Sequence, residues 1–501
     1  MNIAELFFNA AEKFPSHVAI VDPKRSITYT QLKQEVAATA INFSQKGIKS
    51  GDRVLVFVPM SIDLYRIVLA LFSIGATAVF LDEWVNLKRL RLCCQLADCK
   101  AIIGGAKVQI FSWVFKELRV IPIKLNLQFP KSPSEKLAVL SVEPTQSALI
   151  TFTTGSTGTP KAADRSHAFL KEQFEALLDE IEPTSKDIDM PLLPIVLFMN
   201  LGVGCTSVIP GIKTSKPDKI KPEHIYKWFN DQHVTRFTAS PAFVKLIAGY
   251  CINSNKTTNN IKKIFTGGAP VFPQEAKLIG DAFPNAQFKI VYGSTEAEPI
   301  SSTMRHTLLN TDLENDGGLF VGEPYHKAQV KIISISDSNI ELKHSQTLKE
   351  YEIQNGEIGE IIVSGPHVLD RYFQNEEALK RNKIWEEKRV WHRTGDAGFF
   401  KNEHLYLVGR CNQLIYRNDK IISPFVIENI LSNLNGITLG TVLEINQKIV
   451  LVLETKLSRA EVASGLPKLD YDDIKLVKHI PRDPRHNSKI DYGGLGKMVL
   501  G

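Results

Sequence analysis

Residues 149–161 read Leu-Ile-Thr-Phe-Thr-Thr-Gly-Ser-Thr-Gly-Thr-Pro-Lys. An apolar strand end runs into a loop crowded with hydroxyls. Gly155 and Gly158 let backbone N–H groups approach an anion closely, Thr153, Thr154, Ser156 and Thr157 add donors, and Lys161 supplies a positive charge. That composition suits a polyphosphate. It is not the Walker pattern, because Thr159-Pro160 stands between the second glycine and Lys161. The plain alternative is a surface turn, which rarely needs so many donors ahead of a lysine.

Outward from this loop, the chain alternates between helix and strand patterns. On the N-terminal side a helix is expected over Asn2–Lys13, strands over Ala19–Asp22 and Ser26–Tyr29, and a helix over Thr30–Gln45. The apolar run beginning Arg53-Val-Leu-Val-Phe-Val reads as a buried strand, followed by a helix over Asp63–Ile74 and a strand over Thr77–Leu81. Beyond the loop the rhythm returns: strand Val234–Ala239, helix Pro241–Cys251, strand Lys263–Thr266, helix Pro273–Ala282, strand Phe288–Tyr292. Such repetition implies parallel sheets covered by helices. After about Gly317, short runs such as Gln329–Ile335 and Gly359–Ser364 suggest a small β-rich unit, and the final segment mixes short strands and helices. The expected architecture is α/β. It has a large N-terminal domain, 1–408, of two sheet–helix subdomains plus the small β-rich unit, and a small mobile α+β lid, 409–501.

Composition narrows the function classes. The 501 residues suggest two to four structural units, and an apolar content of 44% with 23% charged residues is an ordinary globular balance. A net charge of +6 without a basic, aromatic-studded stripe argues against nucleic acid. The six cysteines show no zinc-like spacing and read as free thiols. The opening Met-Asn-Ile-Ala-Glu has no basic start or apolar run, so a cytoplasmic protein is expected. Met190–Ile212 is uncharged and long enough to span a bilayer, but Pro191, Pro194, Gly202, Gly204 and Pro210 break it, favouring a buried strand–turn–helix.

Three further motifs follow in order. In Tyr292-Gly293-Ser294-Thr295-Glu296, an aromatic ring could stack on a purine and a carboxylate could ligate Mg²⁺, a hard cation that prefers oxygen. In Arg393-Thr394-Gly395-Asp396, a carboxylate on a tight turn can accept from both ribose hydroxyls. Near the C-terminus stands Pro481-Arg-Asp-Pro-Arg-His-Asn-Ser-Lys489-Ile-Asp. Each alone has a bland reading as a turn or a solvated loop.

Together the four segments resemble the acyl-adenylate-forming superfamily of acyl-CoA synthetases, luciferases and peptide-synthetase adenylation domains. They keep that family's order and span nearly the whole chain. The resemblance implies an enzyme that uses ATP and Mg²⁺ to convert a carboxylic acid to an acyl-adenylate. It implies that Thr153–Gly158 and Lys161 hold phosphates, that Gly268, within Thr266-Gly-Gly-Ala-Pro270, lines the adenine pocket, and that Tyr292 contacts adenine. By the same likeness Thr295 meets the α-phosphate, Glu296 holds the metal, Asp396 and Arg410 hold ribose, and Lys489 drives adenylation. Phe198, within Leu192–Gly204, is the candidate lining of an apolar acyl pocket.

The chain departs from the family at several points. Ala162 replaces a usual glycine, Asn412 a usual aspartate or lysine, and Asp419 a glycine of the loop that borders the pantetheine tunnel in thioester-forming members. Pro424 and Glu428 match. Arg485–Ile490, with Glu296–Pro299, is similar to the β-lactone synthetases of olefin biosynthesis. The expected second step is transfer to CoA or a carrier-protein thiol. The alternatives are capture by the substrate's own β-hydroxyl without CoA, and a non-catalytic nucleotide-binding regulator.

Overall fold

The computed structural model describes residues 1–81, 87–153, 161–212, 219–342, 346–483 and 488–500. The apolar runs lie where burial demands them. Arg53–Phe57 and Thr77–Leu81 pair in parallel, flanked by Ala101–Gly104 and Ser147–Thr153, in a six-stranded sheet with Ile123–Leu125 and Lys161–Ser166 at its edges. Helices Tyr29–Gln45 and Ile62–Ser73 pack together beside it. The first starts where Thr28 and Gln31 form a reciprocal cap, which satisfies N–H groups the helix cannot.

A second sheet of 14 strands carries the rest of the large unit. Its parallel part runs Val18–Val21, Thr206–Val208, Ile188–Pro191, Arg236–Ala239, Lys263–Gly267 and Gln287–Ser294. Antiparallel strands then extend it through Ala297–Met304, Leu319–Pro324, His404–Arg410, Arg389–Lys401, Gly359–Ser364 and Gln329–Ile333. The β-rich part is thus continuous with the second sheet, joined where Ser301 and Ser302 pair with Pro324 and Glu323. Pattern reading sees the change from parallel to antiparallel texture but not the hydrogen bonds that carry one sheet across it.

The Met190–Ile212 stretch is strand, helix and strand: Ile188–Pro191, Pro194–Val203 and Thr206–Val208. Gly204 ends the helix at φ +83°, packed so closely on the Phe14 ring that a side chain would collide. Among the described residues no helix is long and apolar enough to cross a membrane. All six cysteines are free, five of them buried.

After Arg410 the chain forms sheets of its own. Ile415–Arg417 and Lys420–Ile422 make a hairpin whose two-residue turn is Asn418-Asp419, at φ +48° and +58°. Asn and Asp tolerate that left-handed geometry better than other side chains, so the turn forms without glycine. Ile437–Ile445, Lys448–Thr455 and Asp473–Val477 make a three-stranded sheet, packed by helices Pro424–Ser432 and Tyr492–Leu500.

Candidate active site

Ligands of open α/β sheets gather at the carboxyl ends of parallel strands. Here those ends are Ala239, Gly267 and the hairpin that follows Gln287–Ser294. Ser294 pairs with Ala297, so Thr295-Glu296 is the two-residue tip of that hairpin. The tip is short and both strands are in the sheet, which fixes where the Glu296 carboxylate points. Gly268 turns the neighbouring strand's exit at φ +87°, a conformation that suits glycine.

Tyr292, Asp396 and Arg410 converge although they are far apart in sequence. The Tyr292 hydroxyl donates to Asp396 Oδ2 at 2.8 Å. Arg410 Nε lies 3.0 Å from Asp396 Oδ1, and its guanidinium also donates to the Thr394 carbonyl at 3.1 Å. Register explains the Asp396–Arg410 pair, since the two residues face each other on adjacent strands. Burial and the Asp396 charge both push the Tyr292 hydroxyl well above its ordinary range, so it remains a donor.

Lys161 opens the strand Lys161–Ser166, opposite Thr153. Thr154, Gly155, Ser156, Thr157 and Gly158 lie outside the described residues. The Lys161 ammonium donates to Asn382 Oδ1 at 3.1 Å. Burial pulls its pKa below the ordinary lysine value; Glu296 opposes this, while Arg381 and Arg410 add to it. Just beyond Lys161, Ala162, Ser166 and His167 serve packing and capping. Ala162 is buried, Ser166 caps helix His167–Ile181 by accepting from the Phe169 N–H, and His167 accepts from the Ile3 N–H.

Glu296 is surrounded by residues that sequence reasoning missed. Tyr372 donates to Glu296 Oε1 at 3.0 Å. Lys383 is buried, its ammonium donating to the Leu369 carbonyl and lying 5.7 Å from the centre of the Tyr372 ring. Burial pulls Lys383 down to about 7, against the opposing charges of Glu296 and Asp370. His392, the strand partner of Lys383, is pushed down to about 3, first by burial and then by Lys383. Burial alone would raise Glu296. The fields of His392 and Lys383, the Tyr372 hydrogen bond and Lys161 together hold it below the usual carboxylate range. His392 is neutral at neutral pH, so the pull there comes from the lysines and Tyr372. No local signal marks these residues: Arg381-Asn382-Lys383 reads as a solvated helix end.

A strap connects the two sheets at this point. Val368 bridges to Ala297, and the Leu369 N–H donates to the Glu296 carbonyl at 2.7 Å. A few residues later Tyr372 bridges to Ala163, and the Phe373 N–H donates to the Ala162 carbonyl at 2.8 Å. Arg371, between them, pairs with Asp164 at 3.1 Å. Lys161 and Glu296 therefore belong to different sheets but are tied through one short backbone segment.

Lys489 sits in the loop before helix Tyr492–Leu500. Its N–H and that of Ser488 both donate to Asp483 Oδ1, at 2.9 and 3.2 Å. The Ser488 hydroxyl accepts from the Ala242 N–H at 3.2 Å. That contact lays the loop on the start of helix Pro241–Asn253, immediately past the carboxyl end of strand Arg236–Ala239. Elsewhere, Ile195, Phe198 and Met199 line a small apolar cavity of about 50 Å³ with Leu6, Phe72 and Phe174. Val196 and Leu197 from the same run are ordinary core.

Among the described residues no group of three His, Cys, Asp or Glu side chains is placed to hold a metal. A single ionised carboxylate such as Glu296 still fits Mg²⁺, which is commonly bound by one or two carboxylates together with substrate phosphates and water.

The fold is the α/β fold of adenylate-forming enzymes. The chain belongs to the AMP-binding enzyme family, whose match covers residues 7–373, and is an AMP-forming ligase of the acyl-adenylate-forming class. It is 26% identical to an olefin β-lactone synthetase of Stenotrophomonas maltophilia, over 98% of this chain and 96% of that one. It is 26% identical to a 2-succinylbenzoate–CoA ligase of Oceanobacillus iheyensis, over 94% of each chain. In fold it is similar to ATP-bound MatB from Rhodopseudomonas palustris, with a TM-score of 0.81 and 18% identity, over 100% of this chain and 99% of that one.

Proposed function

We propose that the enzyme adenylates an apolar β-hydroxy acid and closes it to a β-lactone, with no CoA. The observation that carries this reading is Asp419. It places an acidic side chain on the Asn418-Asp419 turn, where the family resemblance calls for a glycine beside the pantetheine tunnel of thioester-forming members. The likeness to a β-lactone synthetase over nearly the full length supports the same reading.

In the first step a carboxylate oxygen of the acid attacks the α-phosphorus of ATP. The bond from that phosphorus to the bridging oxygen breaks, and pyrophosphate leaves. Two unit charges about 4 Å apart repel by about 4 kcal/mol at an effective dielectric of about 20. Lys489 offsets that repulsion. Lys161 and the Thr153–Gly158 donors hold the outer phosphates, while Asp396, Arg410 and Tyr292 hold the nucleoside with Gly268. Glu296 would hold Mg²⁺, which neutralises phosphate charge when bound, and Thr295 meets the α-phosphate. Ile195, Phe198 and Met199 receive apolar matter, favoured by about 0.8 kcal/mol per buried CH₂. In the second step the β-hydroxyl oxygen attacks the acyl carbon, its proton passes to solvent, and AMP leaves.

The chain is further proposed to hinge at Gly409, with 1–408 as body and 409–501 as lid. Gly409 stands at φ +144° against the Pro424 ring, and the chain beyond Arg410 builds separate sheets.

A second reading, capture by CoA or a carrier thiol, is favoured by the similarity to the CoA ligase. Steady-state AMP release from β-hydroxy fatty acids, with and without CoA, separates the two. A lactone product at a rate indifferent to CoA is expected. AMP release that requires CoA and yields a thioester would overturn the first reading.

A further inference from the structure

Helix Ala106–Val114 has its apolar side facing outward. Ile110, Phe111, Trp113 and Val114 are 62, 49, 66 and 67% exposed, and Val120, just beyond the short helix Lys116–Arg119, is 71% exposed. Inward, Val108 packs on the core, but its neighbours on that side are polar. Ser112 is buried and donates to the Gln109 carbonyl at 2.6 Å. Gln109 donates to the carbonyls of Gly104 and Leu125 at 3.1 and 2.7 Å. A helix that covers a globular core normally shows the reverse arrangement. Single exposed apolar residues are common, but a contiguous cluster marks a surface that meets something.

The charges around the cluster say what it meets. Residues 106–124 carry four basic side chains, Lys107, Lys116, Arg119 and Lys124, against one acidic, Glu117. Glu117 is half-buried and lies 3.2 Å from Arg91, so its charge is answered locally. Lys107, Lys116 and Arg119 are exposed. The Lys124 ammonium lies 5.0 Å from the centre of the Trp113 ring. Aromatic and aliphatic side chains ringed by cations fit the boundary between acyl chains and anionic headgroups.

We propose that this face docks the enzyme on an anionic lipid bilayer. The charge pattern disfavours a second copy of the chain, since a two-fold contact would bring the same cations face to face. A protein partner would need an apolar surface with an acidic rim; a bilayer with anionic headgroups supplies both at any orientation about its normal. The inference does not depend on which acyl acceptor is used.

The test is co-sedimentation of the full chain with vesicles of phosphatidylcholine alone and of phosphatidylcholine mixed with phosphatidylglycerol. The native chain is expected to sediment with the mixed vesicles and to be released by salt. The variants Ile110→Ser/Trp113→Ser and Lys107→Glu/Arg119→Glu are each expected to bind at least about tenfold more weakly. Both are expected to keep native ATP–pyrophosphate exchange without vesicles, which shows that they fold. Equal binding by native chain and folded variants overturns the proposal, as does absence of binding to the mixed vesicles. A dimer in sedimentation velocity that Ile110→Ser/Trp113→Ser converts to monomer overturns it in favour of a second copy.

Discussion

Arg236 and Glu296 are both buried charges at the second sheet, and their surroundings answer them differently. Arg236 is fully buried; its guanidinium lies 3.7 Å from Asp187 and 3.9 Å from Asp189, donates to the Ile181 carbonyl at 2.6 Å and sits 4.7 Å from the Phe265 ring centre. Asp189 in turn accepts from Asn200 at 2.8 Å. Two carboxylates here share one cation, and burial raises Asp189 to about 6 against the opposing field of Arg236. Around Glu296 the cations are in excess. Lys161 and Lys383 both have pKa values lowered by burial, and Glu296 opposes that shift most strongly in each. The Arg236 group is spent inside the fold, whereas Lys161 stands at the proposed nucleotide site, where its ammonium would meet phosphate.

That contrast can be broken or sharpened by substitution. The largest effect is expected at Lys489, to which the proposed reaction gives the work of offsetting charge repulsion. Lys489→Ala should slow acid-dependent ATP–pyrophosphate exchange about a thousandfold, about 4 kcal/mol, with thermal unfolding unchanged. A rate within tenfold of the native one would remove Lys489 from the reaction. Arg236→Met should do the opposite. It leaves Asp189 buried without its cation and should cost about 3 kcal/mol in urea unfolding, while the folded fraction keeps its exchange rate.

Glu428 gives a third kind of buried charge, with hydrogen bonds but no cation. It accepts from Thr441 at 2.8 Å and from Tyr492 at 2.5 Å, and burial raises it from 4.5 to about 7. Between those values the folded state keeps a proton that the unfolded chain has lost, so stability falls as pH rises through the window. Glu428→Gln should therefore be more stable than the native chain above pH 7, by about 3 kcal/mol, with the difference vanishing near pH 4.5. Differential scanning calorimetry at both ends of the window measures it.

The smallest effect is expected at Lys383. Lys383→Met leaves the Leu369 carbonyl unpartnered, costing about 1–3 kcal/mol, and should also slow exchange about tenfold by loosening the segment that carries Tyr372. Lost stability with an unchanged rate would place this cluster in the same class as Arg236.

How much of this was legible in sequence depended on whether a feature is local. Thr77–Leu81 and Gly359–Ser364 form strands with the ends their apolar runs dictate. Tyr292, Asp396 and Arg410, singled out by resemblance, meet within hydrogen-bonding distance. Lys383, Tyr372 and His392 were invisible because only tertiary packing buries them. Helix Ala106–Val114 was hidden for a related reason: periodicity finds an apolar face but not the direction it turns. The continuity of the second sheet needed pairing between Ser301–Ser302 and Glu323–Pro324, which no propensity encodes.

The strap from Val368 to Phe373 works like a gauge block. One end is pinned beside the hairpin tip that holds Glu296, the other beside the strand that opens with Lys161. Its length, counted in peptide units, therefore sets the span between the Glu296 carboxylate and the Lys161 ammonium. Adding or removing one residue there would change the jaw width of the site while leaving every catalytic side chain in place. Such a segment would tolerate substitution far more readily than a change of length.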